Sequence, residues 1–383
     1  MTQAAIPAVF MRGGTSKALV FHQSDLPAER ARWDAIFLAA LGSPDPYRRQ
    51  LDGMGGGLSS LSKICIIAPP SRDDADIDYL FAQVFVDQAR VAYDGNCGNM
   101  SSAMGPFAVD EGLVATSGSA ATVRIHNINT GKIIRAEFPL ADGRAAVDGD
   151  LAIPGVAGTG APVRLVFEQP GGAASGRLLP TGRPVDRIDV PGIGMIAMSL
   201  VDAANPVCFV RAADLGLAGT EMPASLDDDG PLLAGVEQLR IAAYALIRPG
   251  ADAGTIAAGS GPLVALVSPC ADASLLTGGH IAARDSDLTV RMFNAGQPHR
   301  AAPLTGAVCC GIASAIEGTL PHQLRGVDWA TDRIRLATPS GVLTVAARVA
   351  QRQDGPFAEE GAVLRTQRRL FQGTVLVPAR LLD

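Results

Sequence analysis

The chain has 383 residues, 48% of them hydrophobic and 18% charged, with a formal net charge of −6. That is long enough for two domains with full cores and too apolar for a disordered chain. The acidic balance argues against a nucleic-acid backbone or an anionic membrane as partner. A small anionic substrate stays open, because local arginines and helix ends can outweigh a weak global charge.

The six cysteines (Cys65, Cys97, Cys208, Cys270, Cys309 and Cys310) include no CxxC pair, and Met1-Thr2-Gln3-Ala4 begins no basic-then-apolar leader. A disulfide framework, a zinc ribbon and secretion are therefore not expected. No apolar run approaches the roughly 18 residues of a membrane span, so a cytoplasmic protein is the expectation.

In chain order, a strand (Ala8–Met11) leads through the turn Gly13-Gly14-Thr15-Ser16 into a second strand, Ala18–Phe21. A helix is predicted from Pro27 to Leu41, because Trp33, Ile36, Phe37 and Ala40 share a face and Gly42-Ser43-Pro44 stops it. A glycine-rich loop (Asp52–Gly57) precedes the strand Lys63–Ile67. A strand at 78–86 follows, then the turn Asp94-Gly95-Asn96-Cys97-Gly98-Asn99 and a helix from Ser101 to Val109. Residues 122–127 and 132–138 flank Ile128-Asn129-Thr130-Gly131 as a hairpin. Gly155 to Gly182 is the weakest-patterned stretch and approaches a domain boundary.

The second half repeats the style. Strands are expected near 196–201, 207–211, 262–268 and 288–293, with an amphipathic helix through Leu232, Leu233, Val236, Leu239 and Ile247. A turn-to-helix run, Leu304–Gly311, follows. Leu343–Val345 and Thr374–Val377 close the chain as strands. Strand, Cys97-Gly98, helix in the first half echoes strand, Thr305-Gly306, helix in the second. Each would present unpaired N–H groups and a positive dipole end to an anion.

Cys97 is the first chemical candidate. A free cysteine is most often a small core residue, but glycines and asparagines around Cys97 form no apolar stripe. A thiol at a helix start favours thiolate character. Lys63 sits between a hydroxyl-rich turn (Ser59, Ser60, Ser62) and an apolar strand. A lysine there is commonly a solvated edge residue; buried beside a carboxylate cleft, desolvation favours the neutral amine that a base requires. Arg12, before Gly13-Gly14, has the fork that suits carboxylates, with glycines that would let a ligand approach the backbone; ordinary turn chemistry accounts for it equally. His299-Arg300 binds a carboxylate or simply sits on a loop. The five histidines have no metal spacing, Cys309 and Cys310 read as helix core, and the Walker, dinucleotide and G-x-S-x-G patterns are absent.

Several of these strings occur together in order: M-R-G-G-T-S-K at 11–17, G-S-P-D-P-Y at 42–47, D-G-M-G-G at 52–56 and S-K at 62–63. D-Y-L-F-A-Q-V at 78–84, N-C-G-N at 96–99, L-P-T-G-R-P-V-D at 179–186, A-N-P at 204–206 and H-R-A-A-P-L-T-G-A-V-C at 299–309 continue the series. In this the chain resembles the PrpF family, which includes 2-methylaconitate cis–trans isomerase, 4-oxalomesaconate tautomerase and methylitaconate isomerase. The resemblance implies a diaminopimelate epimerase-like α/β fold. It has two similar domains (1–185 and 186–383, with the last strand, about 374–378, returning to the first), each a strand-rich barrel around a central helix, and the active site in the cleft between them. It implies Lys63 and Cys97 as the catalytic pair. Substrate binding would fall to Arg12, Ser16, Ser59, Ser60, Ser62, Asn96, Gly98, Asn99, His299, Arg300, Thr305, Gly306 and Ala307, with no cofactor and no metal.

The expected activity is isomerisation of an unsaturated di- or tricarboxylate through a dienolate, of the 2-methylaconitate type or, alternatively, the 4-oxalomesaconate tautomerase type. An amino-acid racemase or epimerase would need a second cysteine beside Gly306, which the sequence lacks. A non-catalytic carboxylate-binding protein of this fold is the third reading. The expected partner is a small carboxylate, and a homodimer is left open.

Overall fold

The computed structural model describes residues 2–93, 95–258, 261–294, 296–326 and 333–382, and Asp94 of the cysteine turn lies outside them. The chain divides into two units, Met1–Leu165 with Leu364–Asp383, and Val166–Val363. The first unit contains strands β1 (Gln3–Gly13) and β2 (Ser16–His22), helix α1 (Trp33–Leu41), and strands β3 (Lys63–Ala68), β4 (Ile77–Val84) and β5 (Val91–Ala92). Helix α2 (Gly98–Asp110) and strands β6 (Ala120–Asn127), β7 (Lys132–Ala141) and β8 (Arg144–Ala145) follow; β9 (Val163–Glu168) runs across the division. The second unit has β10 (Asp186–Val190), β11 (Gly194–Ala203), β12 (Asn205–Arg211), α3 (Pro223–Asp227), α4 (Gly230–Ile247), α5 (Ala253–Ala258) and β13 (Leu263–Ser268). It continues with β14 (Ala273–Ser274), β15 (His280–Ile281), β16 (Leu288–Asn294), β17 (Gln297–Pro298), α6 (Leu304–Ala315), α7 (Leu320–Leu324), β18 (Arg333–Thr338), β19 (Gly341–Arg352) and β20 (Gly355–Arg365), whose last two residues belong to the first unit. Strand β21 (Gln367–Pro378) returns the chain to the first unit.

In the first unit the strands run β21, β1, β2, β3, β4, β6, β7. Successive pairs are antiparallel, antiparallel, parallel, antiparallel, parallel and antiparallel. In the second they run β10, β11, β12, β13, β16, β18, β19 with the same sequence of directions. The echo that the sequence suggested is thus a repeated sheet topology. In both units the fourth and fifth of these strands (β3 and β4, β13 and β16) are followed by a helix and then by the sixth.

That helix is the centre of each unit. Small residues and a few large apolar ones cover every side of α2, so a helix of this composition must be enclosed. Gly98 to Val109 are all buried, and α2 packs on β1, β2, β6, β7, β8 and β21. Helix α6 is buried from Leu304 to Ser314 against β11, β12, β18 and β19. The opposite sheet faces carry longer apolar side chains: Leu19, Phe21, Ile64, Ile66 and Leu80 meet Trp33, Ile36 and Phe37 of α1. Cys208, Val210, Val264 and Leu266 meet Val236, Leu239 and Ala243 of α4 in the same way. The strand-rich first sheet surrounds its helix as expected of this fold; among the described residues no strand pairing joins β7 directly to β21, so the barrel is not fully closed. No described helix is long and apolar enough to cross a membrane.

Local departures from the expected elements have local causes. The regular helix starts at Trp33 instead of Pro27: the Pro27 carbonyl accepts from the Trp33 indole N–H at 2.8 Å, and Arg30–Arg32 form a 3₁₀ turn. The weakly patterned stretch 155–182 contains β9, whose Val163, Leu165, Val166 and Phe167 are buried. Helix α2 begins at Gly98, three residues before the expected Ser101, which makes Cys97 its N-cap.

Candidate active site

Cys97 is buried, with φ −108° and ψ 87°, and no side chain caps the helix it begins. Its carbonyl accepts the first helical bond, from Ser101 N–H at 3.0 Å, and the Ser101 hydroxyl at 3.1 Å. The N–H groups of the first turn therefore open beside the thiol, the arrangement that stabilises an anion. Asn96, also buried, accepts from Asn127 Nδ2 at 3.2 Å.

The turn joining β1 to β2 is pressed against this helix start. A Cβ on Gly13 would lie 2.5 Å from the Asn99 carbonyl oxygen, and one on Gly14, which has φ +46°, would collide with Asn99 Oδ1. Both positions thus need glycine for the approach of the helix, where the sequence suggested the approach of a ligand. Asn99 Nδ2 donates to Thr15 Oγ1 at 3.1 Å, and Ser16 is buried beside this turn. Arg12 is half-buried and turned onto the backbone: its Nη1 donates to the Gly14 carbonyl, the Thr366 carbonyl and Thr366 Oγ1, each at 3.0 Å. Burial, with Arg368 nearby, lowers its pKa.

Lys63 is 5% exposed. Its Nζ donates to Gln83 Oε1 at 2.6 Å and lies 4.9 Å from the centre of the Phe81 ring. The β3–β4 register pairs Lys63 with Gln83, Cys65 with Phe81 and Ile67 with Tyr79, so alternation puts these residues on one face, away from α1. Cys65 donates to the Tyr79 hydroxyl at 3.7 Å. Burial pushes the Cys65 thiol far up; the Cys97 sulfur adds to this, while Tyr79 and Lys63 oppose it. Burial also raises the Tyr79 hydroxyl well above its usual value, helped by Cys65 and Cys97. Lys63 and Cys97 therefore both act electrostatically on the same buried thiol, and Lys63, Cys65, Tyr79 and Gln83 share one face of β3 and β4. Cys65, Tyr79 and Gln83 were legible only as parts of apolar strands.

The three serines before Lys63 serve the loop more than the cluster. Gln83 Nε2 donates to the carbonyls of Ser59, Ser62 and Val84 at 3.0–3.1 Å, so the amide that receives Lys63 also fixes the turn ahead of it. The Ser62 hydroxyl, wholly buried, lies 2.7 Å from Gln50 Oε1 and 2.8 Å from the Leu58 carbonyl. Gln50 Oε1 also accepts from Gly57 N–H at 2.8 Å, and a side chain at Gly55 would collide with Gln50. Asp45 in turn accepts from the N–H groups of Tyr47, Arg49 and Gln50 at 2.6–3.0 Å, and these bonds hold its carboxyl below its usual value. Ser59 and Ser60 are partly exposed.

In the second unit, α6 also starts without a side-chain cap, after Pro303. Thr305, the second residue of α6 as Asn99 is of α2, accepts from Asn205 Nδ2 at 3.1 Å. Asn205 begins β12 just after Ala204 (φ +61°), as Thr15 follows Gly14. By this correspondence the counterpart of Cys97 is Pro303, not a thiol. A Cβ on Gly306 would lie 2.8 Å from Leu263 Cδ1 and 2.9 Å from Met292 Sδ, so this glycine lets α6 settle on β13 and β16. Ala307 N–H is used within the helix start, donating to the Pro303 carbonyl at 2.9 Å. His299 Nδ1 accepts from Ala301 N–H at 3.0 Å; Arg300 pairs with Asp227 at 2.6 Å and donates to the Pro298 carbonyl.

One residue of the first unit carried no sequence signal: Arg365, at the end of β20. It is 4% exposed, and its Nε donates to Asn99 Oδ1 at 3.1 Å. Burial lowers its pKa to about 10.

The family profile described as "PrpF protein" matches residues 3–378. The chain is 40% identical to 3-methylitaconate isomerase of Eubacterium barkeri, over 98% of each chain. It is 39% identical to 2-methyl-aconitate isomerase of Cupriavidus necator, again over 98% of each, and 39% identical to 4-oxalomesaconate tautomerase of Pseudomonas putida, over 98% of this chain and 97% of that one. The crystal structure of methylitaconate-delta-isomerase superposes with a TM-score of 0.80 at 38% identity, covering 100% of this chain and 98% of that one. A hydroxyproline epimerase from Agrobacterium vitis shares the fold, with a TM-score of 0.56 at 13% identity over 98% and 93% of the two chains. With its repeated sheets, its two enclosed helices and a match over nearly all its length, the chain belongs to the PrpF family.

Proposed function

We propose that the protein is a cofactor-independent isomerase of an unsaturated di- or tricarboxylate, moving a proton from one end of an allylic system to the other. What supports this is that Lys63 and Cys97 both act electrostatically on the buried Cys65 thiol, with Gln83 fixing the amine and Cys97 at the uncapped start of α2.

A C–H allylic to a carboxylated double bond is acidic because its conjugate base spreads charge into the carboxylate. Lys63 as the neutral amine takes that proton, and the electron pair moves through the C=C bond to give a dienolate. The Cys97 thiol returns a proton at the far carbon, leaving thiolate and ammonium; a proton passing from Lys63 to Cys97, directly or through water, restores both. The helix-start N–H groups at Gly98 and Asn99 face the charge that develops, where fixed dipoles contribute most. The related isomerases act on methylitaconate and 2-methylaconitate, and both reactions fit this sequence of steps. The 4-oxalomesaconate-type tautomerisation uses the same dienolate and is the second reading, supported by 39% identity to that relative. The proposed setting is the cytoplasm.

The test is proton NMR of a panel of these acids in deuterated water with the enzyme. One acid should convert to its allylic isomer with deuterium entering the allyl system. No conversion and no exchange in any of them would exclude the proposal.

A further inference from the structure

Arg365 is 4% exposed, yet no described acid pairs with it. Its Nε donates to Asn99 Oδ1 at 3.1 Å and its Nη1 to the Leu364 carbonyl at 2.9 Å, while Nη2 has no hydrogen-bond partner among the described residues. Asn99 cannot easily turn away, because its Nδ2 is held by Thr15 at 3.1 Å. The guanidinium is thus fixed against the second residue of an uncapped helix, two residues from Cys97. Two further arginines stand by: Arg12 and Arg368 are direct cross-strand partners between β1 and β21, and neither has a described carboxylate. Like charges placed opposite each other in a ladder are unfavourable, and an unpaired buried charge is more so. Of the three, Arg365 is the one that is buried against the positive helix end, and its unpaired charge there is arranged for an anion.

We propose that Arg365 and the first turn of α2 form a carboxylate-binding subsite, which seats the substrate carboxylate next to the carbon that Cys97 protonates. Its ligand class is a planar carboxylate, which matches the open edge of the guanidinium and the helix N–H groups. The assignment of the carbon rests on the isomerase reading; the binding of the carboxylate does not.

The experiment uses tricarballylate, a saturated tricarboxylate with no double bond to isomerise. Its affinity is measured by calorimetry for the wild-type protein, Arg365→Gln and Arg365→Lys, alongside the melting temperature of each without ligand. Wild type should bind. Arg365→Gln should lose about 10- to 100-fold in affinity while melting no lower than wild type, because it removes an unpaired buried charge. Arg365→Lys should bind more weakly than wild type, since an ammonium lacks the bidentate edge. Failure of wild type to bind, or unchanged affinity in Arg365→Gln, overturns the subsite. A lower melting temperature in Arg365→Gln with unchanged affinity in Arg365→Lys overturns it too, as that pattern marks a structural arginine. Arg365-dependent binding without turnover of any unsaturated acid would sustain the subsite and defeat the isomerase reading.

Discussion

A buried ammonium or amine needs a fixed partner, and for Lys63 that partner is neutral. Gln83 Oε1 accepts one N–H at 2.6 Å without adding a charge that would lock the lysine as a cation. Gln83→Glu would place a carboxylate there and stabilise the ammonium. Turnover at neutral pH should then fall by about 10-fold or more and recover as the pH rises, read from a pH–rate profile; an unchanged profile would mean that Lys63 is not the base. Arg365 shows the opposite economy. Its value of about 10, lowered by burial, means that its charge opposes folding throughout the neutral range. Cys97 was legible because glycine and asparagine break any apolar stripe around it, and Lys63 because it stands at the mouth of an apolar strand. Arg365, in V-L-R-T-Q-R-R, reads as one arginine of a solvated strand, and only its long-range meeting with Asn99 reveals its place.

Helix α2 is held at both ends by contacts of high sequence separation. At its start, Gly13 leaves room for the Asn99 carbonyl, so Gly13→Ala should force the helix outward. The expected cost is about 1–3 kcal/mol, with a larger proportional loss of turnover than of substrate affinity, since the Cys97 thiol moves with the helix. Thermal unfolding and steady-state kinetics on one variant check both halves. At its end, Glu111 accepts from Arg369 Nη2 at 2.7 Å and lies 3.2 Å from His22 Nε2. Desolvation raises the Glu111 carboxyl, but these bonds outweigh it and the net shift is downward from 4.5. The resulting stability is therefore present above about pH 4.5 and is lost as the pH falls through the lower folded value. Glu111→Gln should remove about 1 kcal/mol or less, given solvent screening, and flatten the acid limb of the stability curve. The helix itself was readable from composition, but its first turn was not, because nothing local marks a cysteine as N-cap.

At the scale of the whole chain, two units share one order of strand directions and one kind of enclosed helix, yet their helix starts differ: Cys97 in the first, Pro303 in the second. Inversion at a saturated carbon needs an acid and a base on opposite faces, and proline can be neither. The protein should therefore not invert the α-carbon of proline or hydroxyproline, read by polarimetry, although it shares the fold of a hydroxyproline epimerase. The repeat was visible in sequence only as two turn-to-helix strings; the equivalence of Thr15–Asn99 and Asn205–Thr305 required the backbone, because the residue types exchange places. The measurement that bears most directly on the account is deuterium exchange into the isomerised acid, followed by NMR, in wild type, Lys63→Met and Cys97→Ala. Wild type should show exchange and isomerisation, and each variant should lose isomerisation by about 100-fold or more, as expected when a general acid or base is removed. Full exchange and turnover in both variants would contradict it.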